Sequence, residues 1–87
     1  MAFAVAARVL MVNAPLVLAA GILAVRGGET VFDFAAVTEC DSSLLACLLE
    51  WRREAVRMGK PGLTICSVPT SLRGIARLYG VEVVALG

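Results

Sequence analysis

The 87-residue chain contains no histidine. Histidine is the side chain that titrates nearest neutrality and the usual base beside a serine or cysteine nucleophile, so triad hydrolysis is not expected and no zinc site has its commonest nitrogen ligand. Charge is also scarce. Only 17% of residues are charged, eight basic against seven acidic, for a net +1. The basic residues form no cluster, so the chain lacks the electrostatic footprint of a nucleic-acid or anionic-membrane binder. The three cysteines, Cys40, Cys47 and Cys66, are odd in number and lack CxxC spacing. They read as small apolar residues in a reducing compartment, and no metal or cofactor is expected. There is no glycine-rich phosphate loop, internal repeat, low-complexity stretch or linker, which leaves one domain over residues 1–87 and no enzymatic machinery.

Apolar residues are abundant, at 60%. For so short a chain this predicts a buried sheet or a surface covered by a partner, hence a subunit. The longest uncharged run, Val9 to Val25, holds 17 residues, the lower limit for crossing a bilayer. Asn13 and Pro15 interrupt it, with Pro15 where a helix would begin, so the run is read as strand, turn and short helix. A signal peptide would place basic residues before its apolar run, whereas residues 1–7 carry none. No membrane insertion is expected.

In chain order, the valines and leucines of Arg8 to Val12 predict a strand, and the alanine-rich start predicts a frayed end. Asn13 then caps a helix that exposes Leu16, Val17, Ala20, Leu23 and Ala24 to the core and stops at Gly27-Gly28; Gly21 within it implies a close backbone approach. Glu29 to Phe34 is a strand, Ala35 to Cys40 a turn, and Asp41 opens a helix reaching Gly59. Leu44, Leu48, Trp51, Ala55 and Met58 form its core stripe, while Glu50 with Arg53 and Glu54 with Arg57 mark a solvated face. After the Lys60-Pro61-Gly62 turn come a strand, Leu63 to Val68, and a helix from Pro69-Thr70-Ser71 whose apolar face is Leu72, Ile75, Ala76 and Tyr79. Gly80 ends that helix, and Val81 to Leu86 closes the chain as a strand. The assembly is α/β, a small open sheet with helices packed against it in βαβαβαβ order.

The candidate site is Asp41-Ser42-Ser43. Asp41 is a good N-cap for the backbone N–H groups of the first turn, whose positive potential also favours an anionic partner group by roughly 0.3–1 kcal/mol. Capping alone accounts for these residue types, and a regulatory or docking hydroxyl is the second reading. On a helical wheel Ser42 falls with Leu45, Leu49, Val56 and Arg53, and Ser43 near Glu50 and Glu54. Leu45 and Leu49 are either ordinary core residues or an exposed docking face. Asp33 either caps its own loop or joins Asp41 in an acidic rim.

The run Val31 to Ala55, with its D-F-x-x-V-T-x-x-D-S-S pattern, followed by G-K-P-G-L-T-I-C and the closing A-R-L-Y-G-V, resembles the STAS domains, also called anti-sigma factor antagonist-like. The likeness spans Asn13 to Leu86 and is greatest to the MlaB-like STAS subunits of ABC transporters that move phospholipids between outer and inner membranes. It implies a non-catalytic subunit docked on an MlaF-like ATPase, and through it on a permease, at the cytoplasmic side of the inner membrane. Ser42 takes the position of that group's motif hydroxyl. In the related anti-sigma factor antagonists the phosphorylated serine would fall on Ser43, which makes a phosphorylation-switched anti-anti-sigma factor the alternative. Leu44 stands where those antagonists carry glycine, which would crowd a kinase approaching Ser43.

Overall fold

The computed structural model describes residues 2–60 and 62–79. Its elements are β1 (Phe3–Ala4), β2 (Arg8–Val9), α1 (Ala14–Arg26), β3 (Val31–Asp33), β4 (Glu39–Cys40), α2 (Ser42–Arg57), β5 (Thr64–Cys66) and α3 (Thr70–Leu78). All strand pairing among the described residues is parallel. β3 lies between β1 and β5, and β2 pairs with β4 in a second small sheet. The architecture is mixed α/β, with helices as crossovers between parallel strands.

The two sheets are successive stretches of one strand pair. Phe3 pairs with Phe32, whereas Arg8 pairs with Glu39, so the second strand spends two more residues than the first over the same length. The excess is a turn at Ala35–Ala36, closed by Val37 N–H donating to Phe34 C=O at 3.0 Å and anchored by Ala35 N–H donating to the Asp33 carboxylate at 2.9 Å. It acts as a wide bulge that re-aims the chain before α2 begins. The stretch read as a turn therefore contains strand β4, and the alanine-rich start read as frayed contains β1. Arg8 to Val12 is a strand only at Arg8–Val9, because Asn13 draws the next residues into a turn. Its Oδ1 accepts from Leu10 N–H and its Nδ2 donates to Arg8 C=O, both at 2.8 Å, so its side chain does not cap α1. The expected closing strand and Gly80 lie outside the described residues.

Trp51, on α2, sits at the centre of the core. The rings of Phe32, Phe3 and Phe34 surround its indole at centroid distances of 5.0, 6.0 and 6.5 Å, and its Nε1–H donates to Leu18 C=O on α1 at 3.0 Å. Gly21 is where α1 passes over the ring, since a Cβ there would lie 2.2 Å from Trp51 Nε1. The expected close approach is real, but an indole makes it. The face that α1 buries is Ala14, Val17, Gly21 and Val25; Leu16 and Leu23, expected inside, are exposed. On α2 the stripe Leu44, Leu48, Trp51 and Ala55 is buried as expected, joined by Leu45 and Cys47, while Met58 lies beyond the helix and is exposed. On α3, Leu72 and Ala76 are buried and Ile75 partly so, with Tyr79 exposed.

Glu54 corrects the solvated-face reading. Its side chain is only 4% exposed, and it accepts from Arg26 Nε of α1 at 3.0 Å as well as from Arg57 one turn on. It joins α1 to α2. Glu50 and Arg53 do form the expected surface pair, at 2.6 Å. Helix α1 ends where Gly28 takes φ 98°, and α2 where Gly59 takes φ 81°, a region open to glycine at no steric cost.

Candidate docking site at the start of the second helix

Asp41 is at once the end of a strand and the cap of a helix. Its N–H donates to Val9 C=O at 3.2 Å, extending the β2–β4 pairing by one rung, and its backbone is extended at φ −122°. The carboxylate then turns on the helix. Oδ1 accepts from Ser43 N–H at 2.9 Å and from the Ser43 hydroxyl, while Oδ2 accepts from Met11 N–H at 3.0 Å. The Asn13-closed turn presents that Met11 N–H. One carboxylate thus fastens the start of α2 to the turn before α1. These donors, the Ser43 hydroxyl foremost, then Ser43 N–H and Met11 N–H, hold the Asp41 carboxyl below its ordinary 3.8.

The two serines diverge as the helical wheel requires, though not into the surroundings it indicated for Ser43. Ser43 faces a groove of about 310 Å³ between α1 and α2, lined by Met11, Ala14, Pro15, Leu18, Cys47 and Glu50 among others. Glu50 is beside it as expected, whereas Glu54 is turned toward α1. Ser42 is exposed, with no side-chain hydrogen bond among the described residues. It rims a shallow hollow of about 280 Å³ formed with Leu45, Ala46, Leu49 and Tyr79. The hollow is continuous through Leu49 with a second, bounded by Arg52, Arg53 and Val56. The outer face of α2 is therefore a strip that runs from a hydroxyl over apolar side chains to two arginines.

Of the residues singled out by sequence, Ser42 and Leu49 line this strip, whereas the Asp41 carboxylate turns away from it onto Ser43 and Met11. Ser43 is turned into the groove, and Leu45, at 4% exposure, belongs to the core and offers only its edge. Asp33 is engaged with its own turn, the first of its two readings. Met11 and Tyr79 were not foreseen as parts of the site. A backbone N–H used as a clasp leaves no mark on composition, whereas Tyr79 was visible but assigned to the core face of α3.

Cys47, which lines the groove with Ser43, is buried, and desolvation first, then the Asp41 charge, push it above its ordinary 9.0, away from the thiolate a nucleophile needs. The cysteines are free. Among the described residues no three acidic or sulfur ligands converge to hold a metal, and no helix is long and apolar enough to cross a membrane.

Parallel strands delivering an aspartate-capped helix, with consecutive serines at its exposed start, define a STAS-type domain. The family model described as "Mlab, STAS domain" matches residues 3–86, and the chain belongs to that family. No curated protein matches the chain.

Proposed function

We propose that the chain is a non-catalytic subunit that docks on the ATPase of an Mla-type ABC phospholipid transporter and supports its assembly or activity, so serving outer-membrane lipid asymmetry. It would sit at the cytoplasmic side of the inner membrane through that complex. The observation that carries the reading is the strip on α2, where an exposed hydroxyl, Ser42, at the position the sequence resemblance gives to the motif hydroxyl, adjoins the apolar Leu49 and Tyr79, and Val56 continues the strip. Apolar centre, polar end and flanking arginines are the makings of a protein contact. The partner surface that fits it is apolar with an acidic margin opposite Arg52 and Arg53.

The alternative, an anti-anti-sigma factor switched by phosphorylation of Ser43, meets two obstacles. The Ser43 hydroxyl donates to Asp41, so a phosphate there would confront a carboxylate, and Leu44 fills the core where the antagonists have glycine.

The test is co-purification of the tagged chain from its native cells, comparing wild type with Ser42→Arg and Leu49→Asp. Recovery of an ABC ATPase with its permease, reduced at least ~10-fold by either variant, about 1.4 kcal/mol of contact, is the expected result. An anti-sigma-type serine kinase in place of the ATPase, or full recovery with both variants, would overturn the reading.

A further inference from the structure

Helix α1 has two apolar sides. One, Ala14, Val17, Gly21 and Val25, faces the core. On the opposite side lie Leu16, Ala19, Ala20 and Leu23, continued by Val12 in the turn just before the helix, and there Val12 is 88% exposed, Leu16 77% and Leu23 68%. A helix that is apolar all round belongs under cover. Val12, Leu16, Ala19 and Leu23 follow a 4-3-4 spacing, the seam of a two-helix coiled-coil contact. We infer that this seam is a homodimer interface, in which α1 of one copy packs antiparallel against α1 of a second.

Three observations select a second copy as the occupant. The first is symmetry. Ala19 and Ala20 form the midpoint of the exposed face, and Leu16 and Leu23 stand equally far to either side, so a two-fold axis at the alanines sets Leu16 of one copy opposite Leu23 of the other. The small residues at the axis let the helices approach to ~8 Å. The second is charge. No formal charge occurs between Arg8 and Arg26, so the face meets its own image without like-charge repulsion. The lack of lysine and arginine along α1 before its last residue, Arg26, argues against lipid, because surface-bound amphipathic helices carry basic residues along their apolar face. The third is area. Val12, Leu16, Ala19, Ala20 and Leu23 together supply on the order of 500–600 Å² per copy, at the top of the range for a monomer's largest patch, and twice that reaches the ~1,000 Å² expected of a specific contact.

The inference does not depend on the transporter reading, and the isolated full-length chain tests it. Light scattering or sedimentation should give about twice the 9.1 kDa of one chain at ~50 µM. Leu16→Glu/Leu23→Glu places like charges across the seam and should give the single-chain mass with an unchanged helical spectrum. Leu16→Glu/Leu23→Lys places opposite charges across an antiparallel seam and should restore the dimer. A single-chain mass for wild type across the concentration series would overturn the proposal. So would a dimer that survives Leu16→Glu/Leu23→Glu, since another face would then hold it, or wild-type flotation with phosphatidylglycerol-containing vesicles that this variant abolishes.

Discussion

Gly21 and Trp51 show how one atom's worth of space fixes the relation of two helices. A methyl at position 21 would occupy the place of the indole nitrogen, which is also the donor of the bond to Leu18 C=O. Gly21→Ala gains ~1 kcal/mol of helix propensity but overpacks the core by about 1–3 kcal/mol and strains that bond. The net expected loss is roughly 1–2 kcal/mol, read as a Tm fall of about 4–8 °C per kcal/mol together with a change in Trp51 fluorescence. Gly74, on α3, has a helical backbone, and a methyl added there would meet no atom of the described residues within 4 Å. Gly74→Ala should therefore raise Tm, by ~0.5–1 kcal/mol. Asp41 is a second single-residue control, and its effect is set by pH. Its folded-state pKa is depressed, so the stability it contributes is present above about pH 4 and is lost as pH falls through the lower folded value. Asp41→Asn should lower Tm near neutrality, and the gap from wild type should narrow below pH 4 as the native carboxyl protonates.

At the scale of elements, α1 and α2 are joined through Glu54, a buried carboxylate that two mostly exposed arginines serve from different helices. Either arginine alone leaves it paired. Arg26→Ala or Arg57→Ala should each cost ~1 kcal/mol, whereas the double variant strands a buried charge and should cost about 3–5 kcal/mol, a coupling that urea denaturation of the full cycle would resolve. What the sequence made legible divides along the same elements. Helix α2 was readable to within a residue or two, because its apolar stripe is strongly one-sided and Asp41 caps it. Helix α1 was found, but the residues read at helical spacing fall mostly on its outer side, since periodicity cannot choose between two apolar sides, and only Val17 and Gly21 marked the buried one. Strands β1 and β4 were missed because two residues carry no period; what makes them strands is their pairing with β3 and β2 and the bulge at Ala35–Ala36. The sequence also marked Asp41 as the cap of α2, and Ser42 and Leu49 as neighbours on its outer face. Leu45 and the orientation of Ser43 depended on how α1, α2 and α3 pack, which lies beyond any local pattern.

On the whole molecule, the two apolar surfaces proposed as contacts belong to different helices, and that separation is itself measurable. The α1 seam centres on Ala19 and Ala20, and the α2 strip runs from Ser42 to Val56. The groove between the helices keeps Met11 and Ser43 out of both. If the two surfaces act independently, their variants must act independently as well. Leu16→Glu/Leu23→Glu should halve the mass of the isolated chain yet leave recovery of the ATPase within about twofold, because no residue of the strip moves. Ser42→Asp makes the opposite test. It places a negative charge at the exposed start of α2, where the helix dipole favours it by roughly 0.3–1 kcal/mol, so Tm and dimer mass should hold or rise. Buried against the apolar part of the partner surface, the same charge would be desolvated without a counter-ion and should weaken docking at least ~10-fold, giving a variant that is at least as stable and less able to bind. Parallel loss of dimer and ATPase in both variants would mean that the surfaces form one continuous interface around the α1–α2 edge. The assembly would then be built on the groove at Ser43 rather than on two separate contacts.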